Sequence, residues 1–310
     1  MRIFPVKSNK QGNMWRMLCG LLVLLALAGC KQDLEKTPLA TPAFDAATLE
    51  RLRQTRPLNL EQILAEKALL APSGVMVLRN PYVPVTPLLL QACGQDANCS
   101  YSLLRTGLPR LSFPAQPQVY DWWWQRETTP DQAQVCGVQF ADTMNVDYRL
   151  ATFSNHDELT ANGFVLTHYQ ACGACSTLQD LAVYGELDLT VMAKVCSKRL
   201  SLVEKKSCMQ AIGFSEACAD SWAFNAQKTA QSCALVCIRE YGLMALLTGT
   251  ENVPPVNEQG ELNACLLCDE MMAGPGFQYS AGRTRRNSGI VSEIDRPDAE
   301  VYEVPHQYFE

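Results

Sequence analysis

The sequence predicts an α+β fold, a small sheet followed by a mainly helical, disulfide-stapled region. Three observations predict it. Residues 131–253 contain no proline, whereas eight prolines lie from Pro72 to Pro130. Within the proline-free stretch, short β-rich pieces come first and helix-capping signals follow. Of fourteen cysteines, twelve fall in residues 93–268, and an even set in an exported chain reads as a disulfide framework.

The export reading comes from the first thirty residues. Arg2, Lys7, Lys10 and Arg16 precede the first acidic residue, Asp33, and an apolar run from Met17 to Ala28 is broken only by Gly20. That run is short of the about 20 apolar residues that a membrane-spanning helix needs, but it suits a signal core. It closes on Leu27-Ala28-Gly29-Cys30, which resembles a bacterial lipobox. Cys30 is therefore expected to carry lipid as the first residue of the mature chain, and two or three acyl chains make a stable anchor. Lys31 follows where an aspartate would favour inner-membrane retention, so the expected address is the outer membrane, facing the periplasm. The expected segments are a lipoprotein signal peptide over 1–29, a lipid anchor and tether over 30–58, a proline-rich extended region packed on the domain over 59–130, and a cysteine-rich core domain over 131–310.

In the tether a short helical piece is expected near Leu49–Arg53, and Asn59–Leu70 has helical character. The next stretch is extended or looped around Pro81, Pro84 and Pro87. It carries Cys93 and Cys99, close enough to close a small loop, and the run Trp122-Trp123-Trp124, read as core packing or as a carbohydrate- or membrane-facing platform. In the core domain, strands are expected at Val135–Phe140, Asp147–Phe153 and Phe164–Tyr169. One or two helical turns at Asp157-Glu158-Leu159 separate the last two, with Asn162-Gly163 as a stop. Ser176-Thr177-Leu178-Gln179 and Ser201-Leu202-Val203-Glu204 have the capping-box pattern. Between them Leu189–Leu200 forms a helix capped by Asp188. The longest helix runs from about Ser215 to Tyr241, with Cys218, Trp222, Ala226, Thr229, Cys233 and Cys237 as one buried stripe. Asn263 caps a last helix that ends at Gly274-Pro275.

Three constellations carry candidate chemistry. In the first, His168 precedes Cys172-Gly173-Ala174-Cys175, placed between a strand and a helix N-terminus, where thiol pKa values fall. This looks like a thioredoxin active site, although Ala171 stands where an aromatic residue is usual and the next proline is Pro254. The pair reads as a structural disulfide, with a redox pair as the alternative and a metal site using His168 as a third reading. In the second, Cys233/Cys237 and Cys265/Cys268 each share a helical face. They suit disulfides that staple two antiparallel helices twice, disulfides that close each pair on itself, or a four-cysteine zinc site, of which disulfides are expected. In the third, Asp269-Glu270 and the run Arg283-Thr284-Arg285-Arg286-Asn287-Ser288 offer acids beside arginine forks that pair bidentately with carboxylate or phosphate. At least one arginine is expected to hold Asp269, Glu270 or Asp180, and another to bind an anion. His168 joins this candidate ligand-binding set.

Without residues 1–29 the chain carries 22 basic against 32 acidic side chains, a net charge of −10, which argues against nucleic acid as a partner. No Gly-x-Ser-x-Gly, phosphate loop or His-Glu-x-x-His is present, so no catalytic residue, metal or cofactor is assigned. His168-Tyr169 with Cys-Gly-x-Cys-Ser-x-Leu-Gln-Asp-Leu, Cys265-Leu266-Leu267-Cys268-Asp269-Glu270 and Ala281–Gly289 together resemble a family of uncharacterised proteins predicted to be secreted, over roughly Phe140 to His306. The resemblance implies no activity. The expected function is a non-catalytic lipoprotein that binds a small anionic ligand or a protein partner, and the alternative is a thiol–disulfide oxidoreductase using Cys172 and Cys175.

Overall fold

A computed structural model describes residues 34–67, 69–70, 78–82, 134–248, 253–258, 260–291, 294 and 301–309. The leader with Cys30, the loop of Cys93 and Cys99, and Trp122 to Trp124 lie outside the described residues. Residues Lys36–Glu310 form one contact unit, which holds the sheet and the helices.

Among the described residues the sheet has four strands in the order β1-β3-β2-β4, formed by β1 (Arg56–Pro57), β2 (Val135–Phe140), β3 (Asp147–Phe153) and β4 (Val165–Tyr169). Strands β2, β3 and β4 pair antiparallel, as short loops allow, while β1 joins β3 in parallel. The register Val135↔Phe153 puts these two side chains on one face, where Leu159 and Phe164 cover them. That face leaves no room at Gly137, where a Cβ would lie 2.8 Å from Leu159 Cδ1. The other face carries Val138, Tyr148 and Leu150, all fully buried. The Tyr148 hydroxyl accepts from Leu178 N at 2.8 Å, fixing the sheet against the first turn of the helix beyond.

The stretch read as a tether enters this fold. Helix α1 (Ala46–Gln54) is capped by Asp45 and buries Leu49 and Leu52. Leu39 N and Ala43 N donate to Glu186 O and Gly185 O. Helix α2 (Leu60–Glu66) buries Leu60, Ile63 and Leu64. A two-residue strand with a proline has no sequence signal of its own, since Pro57 supplies no ladder donor and only its tertiary partner defines it.

Helix α3 (His156–Ala161), capped by Asn155, lies between β3 and β4. The helical half follows as α4 (Leu178–Glu186), α5 (Leu189–Ser197), α6 (Leu202–Ile212), α7 (Glu216–Tyr241), α8 (Leu243–Thr248), α9 (Ala264–Met272) and α10 (Gly274–Ala281). Ser215, read as the start of the longest helix, also caps it, and the expected caps at Asp188, Ser201 and Asn263 all accept from backbone N–H groups. The cap expected at Ser176 does not: α4 is capped by Thr177, whose hydroxyl accepts from Asp180 N, because Ser176 turns inward instead. Likewise Gly274-Pro275 opens a new helix rather than closing the old one, with proline in the first turn where no donor is missed. The 26-residue α7 is the central helix, touching α5, α6, α9 and α10.

Among the described residues, ten cysteines form five disulfides: Cys136–Cys172, Cys175–Cys218, Cys196–Cys208, Cys233–Cys268 and Cys237–Cys265. The last two staple α7 to α9 twice, and with all four sulfurs bonded the zinc alternative is replaced. Cys172 and Cys175 do not bond each other. One ties the helix entry to the sheet and the other ties it to α7, so the spacing that resembles a redox motif serves two separate cross-links.

Candidate functional site

Two regions take up the sequence-predicted residues, and they have opposite characters. The first is a dry polar knot between the β4–α4 junction and residues 280–289. Gly173 and Gly282 meet backbone to backbone. A Cβ on Gly173 would lie 2.6 Å from Ser280 O, and one on Gly282 2.6 Å from Gly173 N. Across this contact Ala174 N donates to Ser280 O and Cys175 N to Ala281 O, each at 2.8 Å.

Arg283 is 0% exposed and fills the junction. Its five N–H donors meet five acceptors: Cys175 O, Thr167 O, Ser288 Oγ, Thr167 Oγ1 and Ser176 O. No carboxylate is among them. The expected partner Asp180 is also fully buried, but its oxygens accept from the Thr177 hydroxyl, Ser215 N and the Ser215 hydroxyl. Burial pushes the Asp180 carboxyl up to about 6. The arginine thus ties β4 to the entry of α4 through carbonyls, a use suited to a fork of five donors.

His168 belongs to the same knot. Its Nε2 is 2.7 Å from Ser176 Oγ and its Nδ1 2.7 Å from Tyr169 O. A carbonyl only accepts, so Nδ1 carries the proton, and Ser176 O–H donates to Nε2 while Ser176 Oγ accepts from Gly173 N. Burial, with Arg283 nearby, holds the imidazole well below its ordinary pKa and keeps it neutral. Asn287 Nδ2 donates to Tyr169 O and Gly282 O, and its Oδ1 accepts from Thr284 N. Ser288 is 0% exposed. His168, Arg283, Asn287 and Ser288, expected to face a ligand, are therefore interior residues whose hydrogen-bonding capacity the protein itself consumes. A buried polar network of this kind fixes one backbone arrangement because each unmade bond is costly.

The second region is a groove of about 520 Å³. Its floor is one stripe of α7 running from Trp222 through Ala226, Thr229, Ala230, Ala234 and Ile238 to Tyr241. Nineteen residues of helix rise span roughly 28 Å. Alanines at 226, 230 and 234 stand one above the next on a helix, and their short side chains leave the space. Helix α5 lines it with Leu189, Thr190, Ala193 and Lys194; α9 and the arginine loop line it with Asp269, Glu270, Arg285 and Arg286. Trp222 packs on Phe277 with ring centroids 4.6 Å apart and closes one end with aromatic surface. At the other end the Lys194 ammonium lies 5.5 Å from the Tyr241 ring centroid, within cation–π range.

The arginine run thus divides. Arg283 points into the knot, whereas Arg285 and Arg286 line the groove. Arg285 donates to Leu187 O, and Arg286 lies 3.9 Å from Glu270, both about a quarter exposed. Thr229 donates to Asp269 across the α7–α9 contact. Burial, with the charge of Glu270 adjacent, pushes the Asp269 carboxyl up to about 6. The buried stripe expected on α7 is in part this floor: Cys218 and Cys233 are fully buried while Trp222 and Thr229 line open space. The groove itself is not among the sequence expectations. Its signal is the fourfold spacing of small residues in Ala226, Ala230 and Ala234, which reads equally as close helix packing.

Among the described residues, no group of three or more His, Cys, Asp or Glu side chains is arranged to hold a metal, and no helix is long and apolar enough to cross a membrane. A family model described as a family of unknown function (DUF8771) matches residues 203–304. The matched stretch holds α6 to α10 and the arginine loop, and so covers the groove floor, one groove wall and one side of the knot. No curated protein and no solved structure matches the chain.

Proposed function

We propose that this chain is an exported lipoprotein, acylated on Cys30 and held at the outer membrane, that binds a small amphipathic anion in the α7 groove without transforming it. The observation that carries the binding half is the groove: about 520 Å³ of mainly apolar lining with Arg285 and Arg286 along one wall and Lys194 on the other. That volume lies within the range of small-molecule sites, whose lining is usually apolar with a few placed polar groups. An apolar body fits the alanine floor and the aromatic end, and an acidic group fits the arginines. The export half is supported by the lipobox at Cys30 and by five disulfides, which persist in oxidising compartments. The oxidoreductase reading draws no support from the geometry, because Cys172 and Cys175 are fully buried and bonded to different partners.

The binding half is tested with 8-anilinonaphthalene-1-sulfonate, an aromatic body bearing one sulfonate. Saturable fluorescence enhancement is expected with the wild type and is expected to vanish in Ala230→Trp, which fills the floor at an exposed position. Equal binding by Ala230→Trp overturns the site. The export half is tested by lipid labelling of Cys30→Ser, which is expected to abolish acylation; unchanged labelling sinks it.

A further inference from the structure

The turn between α5 and α6 combines features that an acidic soluble surface does not require. Leu200 is 97% exposed and Val203 73% exposed, next to the exposed cations Lys198 and Arg199. Single exposed aliphatic residues are common, but this pair stands on a turn that is built to stay rigid. Cys196–Cys208 closes it, Ser201 and Glu204 form a complete capping box, and the Lys205 ammonium donates to Ser197 O and Arg199 O beneath it. A second exposed apolar pair, Leu243 and Met244, stands at the start of α8. Lys198, two residues before Leu200, and Leu243 both line the groove and are both exposed.

We infer that the α5–α6 turn, with the start of α8, docks on an anionic lipid surface, Leu200 and Val203 entering the headgroup–acyl boundary and Lys198 and Arg199 meeting lipid phosphates. The charge complementarity is local. Residues 194–206 carry Lys194, Lys198, Arg199, Lys205 and Lys206 against Glu204 alone, in a chain of net charge −6. Of these, Lys205 is used inside the turn, Lys206 pairs with Glu216 and Asp220, and Arg199 is exposed beside the apolar tip. Cations beside shallow apolar side chains are the composition that holds proteins at anionic interfaces. Docking would bring the part of the groove lined by Lys198 and Leu243 to the membrane, which deepens the binding reading, and rests on it, by naming the membrane as the source of the amphipathic anion. The docking itself does not depend on acylation or on the groove.

The test uses the full chain with Leu200→Trp, its emission taken as a difference from the parent chain, with vesicles of phosphatidylglycerol and phosphatidylcholine or of phosphatidylcholine alone, each with brominated acyl chains. Mass spectrometry of the same preparation reads acylation separately, so loss of the anchor is distinguishable from loss of docking. A blue-shifted, bromine-quenched signal from the introduced indole is expected on the anionic vesicles. Adding Lys198→Ala and Arg199→Ala is expected to weaken the quenched population about fivefold for each charge removed. An unshifted, unquenched signal on anionic vesicles overturns the proposal. Equal quenching on both vesicle types overturns its electrostatic half, and 8-anilinonaphthalene-1-sulfonate binding retained in that case leaves the groove reading standing.

Discussion

The knot and the groove are built from the same short run of sequence and use it in opposite ways. Arg283 and Arg286 are three residues apart. One is 0% exposed with all five donors satisfied by carbonyl and hydroxyl oxygens, and the other is partly exposed and faces a loose ion pair at 3.9 Å. The same contrast holds for the acids. Asp180 is enclosed by Thr177 and Ser215, whereas Glu270, about a quarter exposed, lines the groove. The difference teaches that residue type does not separate interior from groove-facing groups here. Exposure does, because a guanidinium enclosed with every N–H used has nothing to offer a ligand.

Breaking the knot is expected to have the largest effect. Arg283→Ala leaves five buried acceptors without their donor and is expected to cost at least about 4 kcal/mol, since each orphaned buried group is expensive. Arg283→Lys is expected to recover little, with three donors in place of a planar fork of five. Denaturant unfolding measures both, and a loss below about 1 kcal/mol in Arg283→Ala would mean that the knot does not hold the fold together.

The backbone contact inside the knot gives the next effect. Gly282 has φ +73°, and an added Cβ would lie 2.6 Å from Gly173 N. Gly282→Ala is expected to cost about 3 kcal/mol from left-handed strain and displacement of the facing chain. The same change at Gly242, where φ is +81° but nothing lies within 4 Å, is expected to cost only the conformational part, about 1 kcal/mol. Equal losses at the two glycines would contradict the close approach.

A pH measurement sharpens the comparison from the side of the acids. The Asp180 carboxyl sits at about 6 in the folded chain against an ordinary 3.8. Between these values the folded state keeps a proton that the unfolded state releases. Its contribution is therefore full below about pH 4 and lost as pH rises through 6. The unfolding free energy of the wild type minus that of Asp180→Asn is expected to fall by on the order of 2–3 kcal/mol across this window. Taking the difference matters because His306, held down to about 4 by burial, acts with the opposite sign in both proteins: folded, it lacks a proton that the unfolded imidazole holds, so stability rises with pH. Parallel curves for the two proteins would remove Asp180 from the buried, raised-pKa class.

The smallest stability effect belongs to the groove. Arg286→Ala is expected to change unfolding free energy by less than about 0.5 kcal/mol, as partly exposed ion pairs contribute little. It is expected to weaken 8-anilinonaphthalene-1-sulfonate binding about tenfold through the lost charge. A large stability loss without a binding change would place Arg286 with Arg283 and erase the contrast.

Much of the architecture was legible because it rests on local rules. Short β-rich pieces located β2, β3 and β4, and Asp188, Ser201 and Asn263 each announced the helix they cap. Even cysteine number and helical spacing pointed to disulfides at Cys233, Cys237, Cys265 and Cys268, and the structure chose the double staple between α7 and α9 over two self-closed pairs. Where local reading failed, a distant group had changed the answer. Ser176 has the cap sequence, but it turns inward to His168, so Thr177 caps the helix. Arg56-Pro57 becomes a strand only because β3 lies beside it. Cys172 and Cys175, separated by two residues, go to Cys136 and Cys218, a choice that depends on which side of the junction each sulfur faces.

By itself, then, the sequence determined the α+β class, the starts of α5, α6, α7 and α9 and a cysteine count suited to an oxidising compartment, since periodicity, capping and redox chemistry act over a few residues or on composition alone. Only the tertiary structure decided which polar residues are spent internally. His168 and Arg283 are 115 positions apart in the chain, and they share one buried network because Gly173 and Gly282 let two backbones touch. Whether a guanidinium is saturated or exposed depends on those long-range neighbours, and nothing in its own neighbourhood of sequence records them.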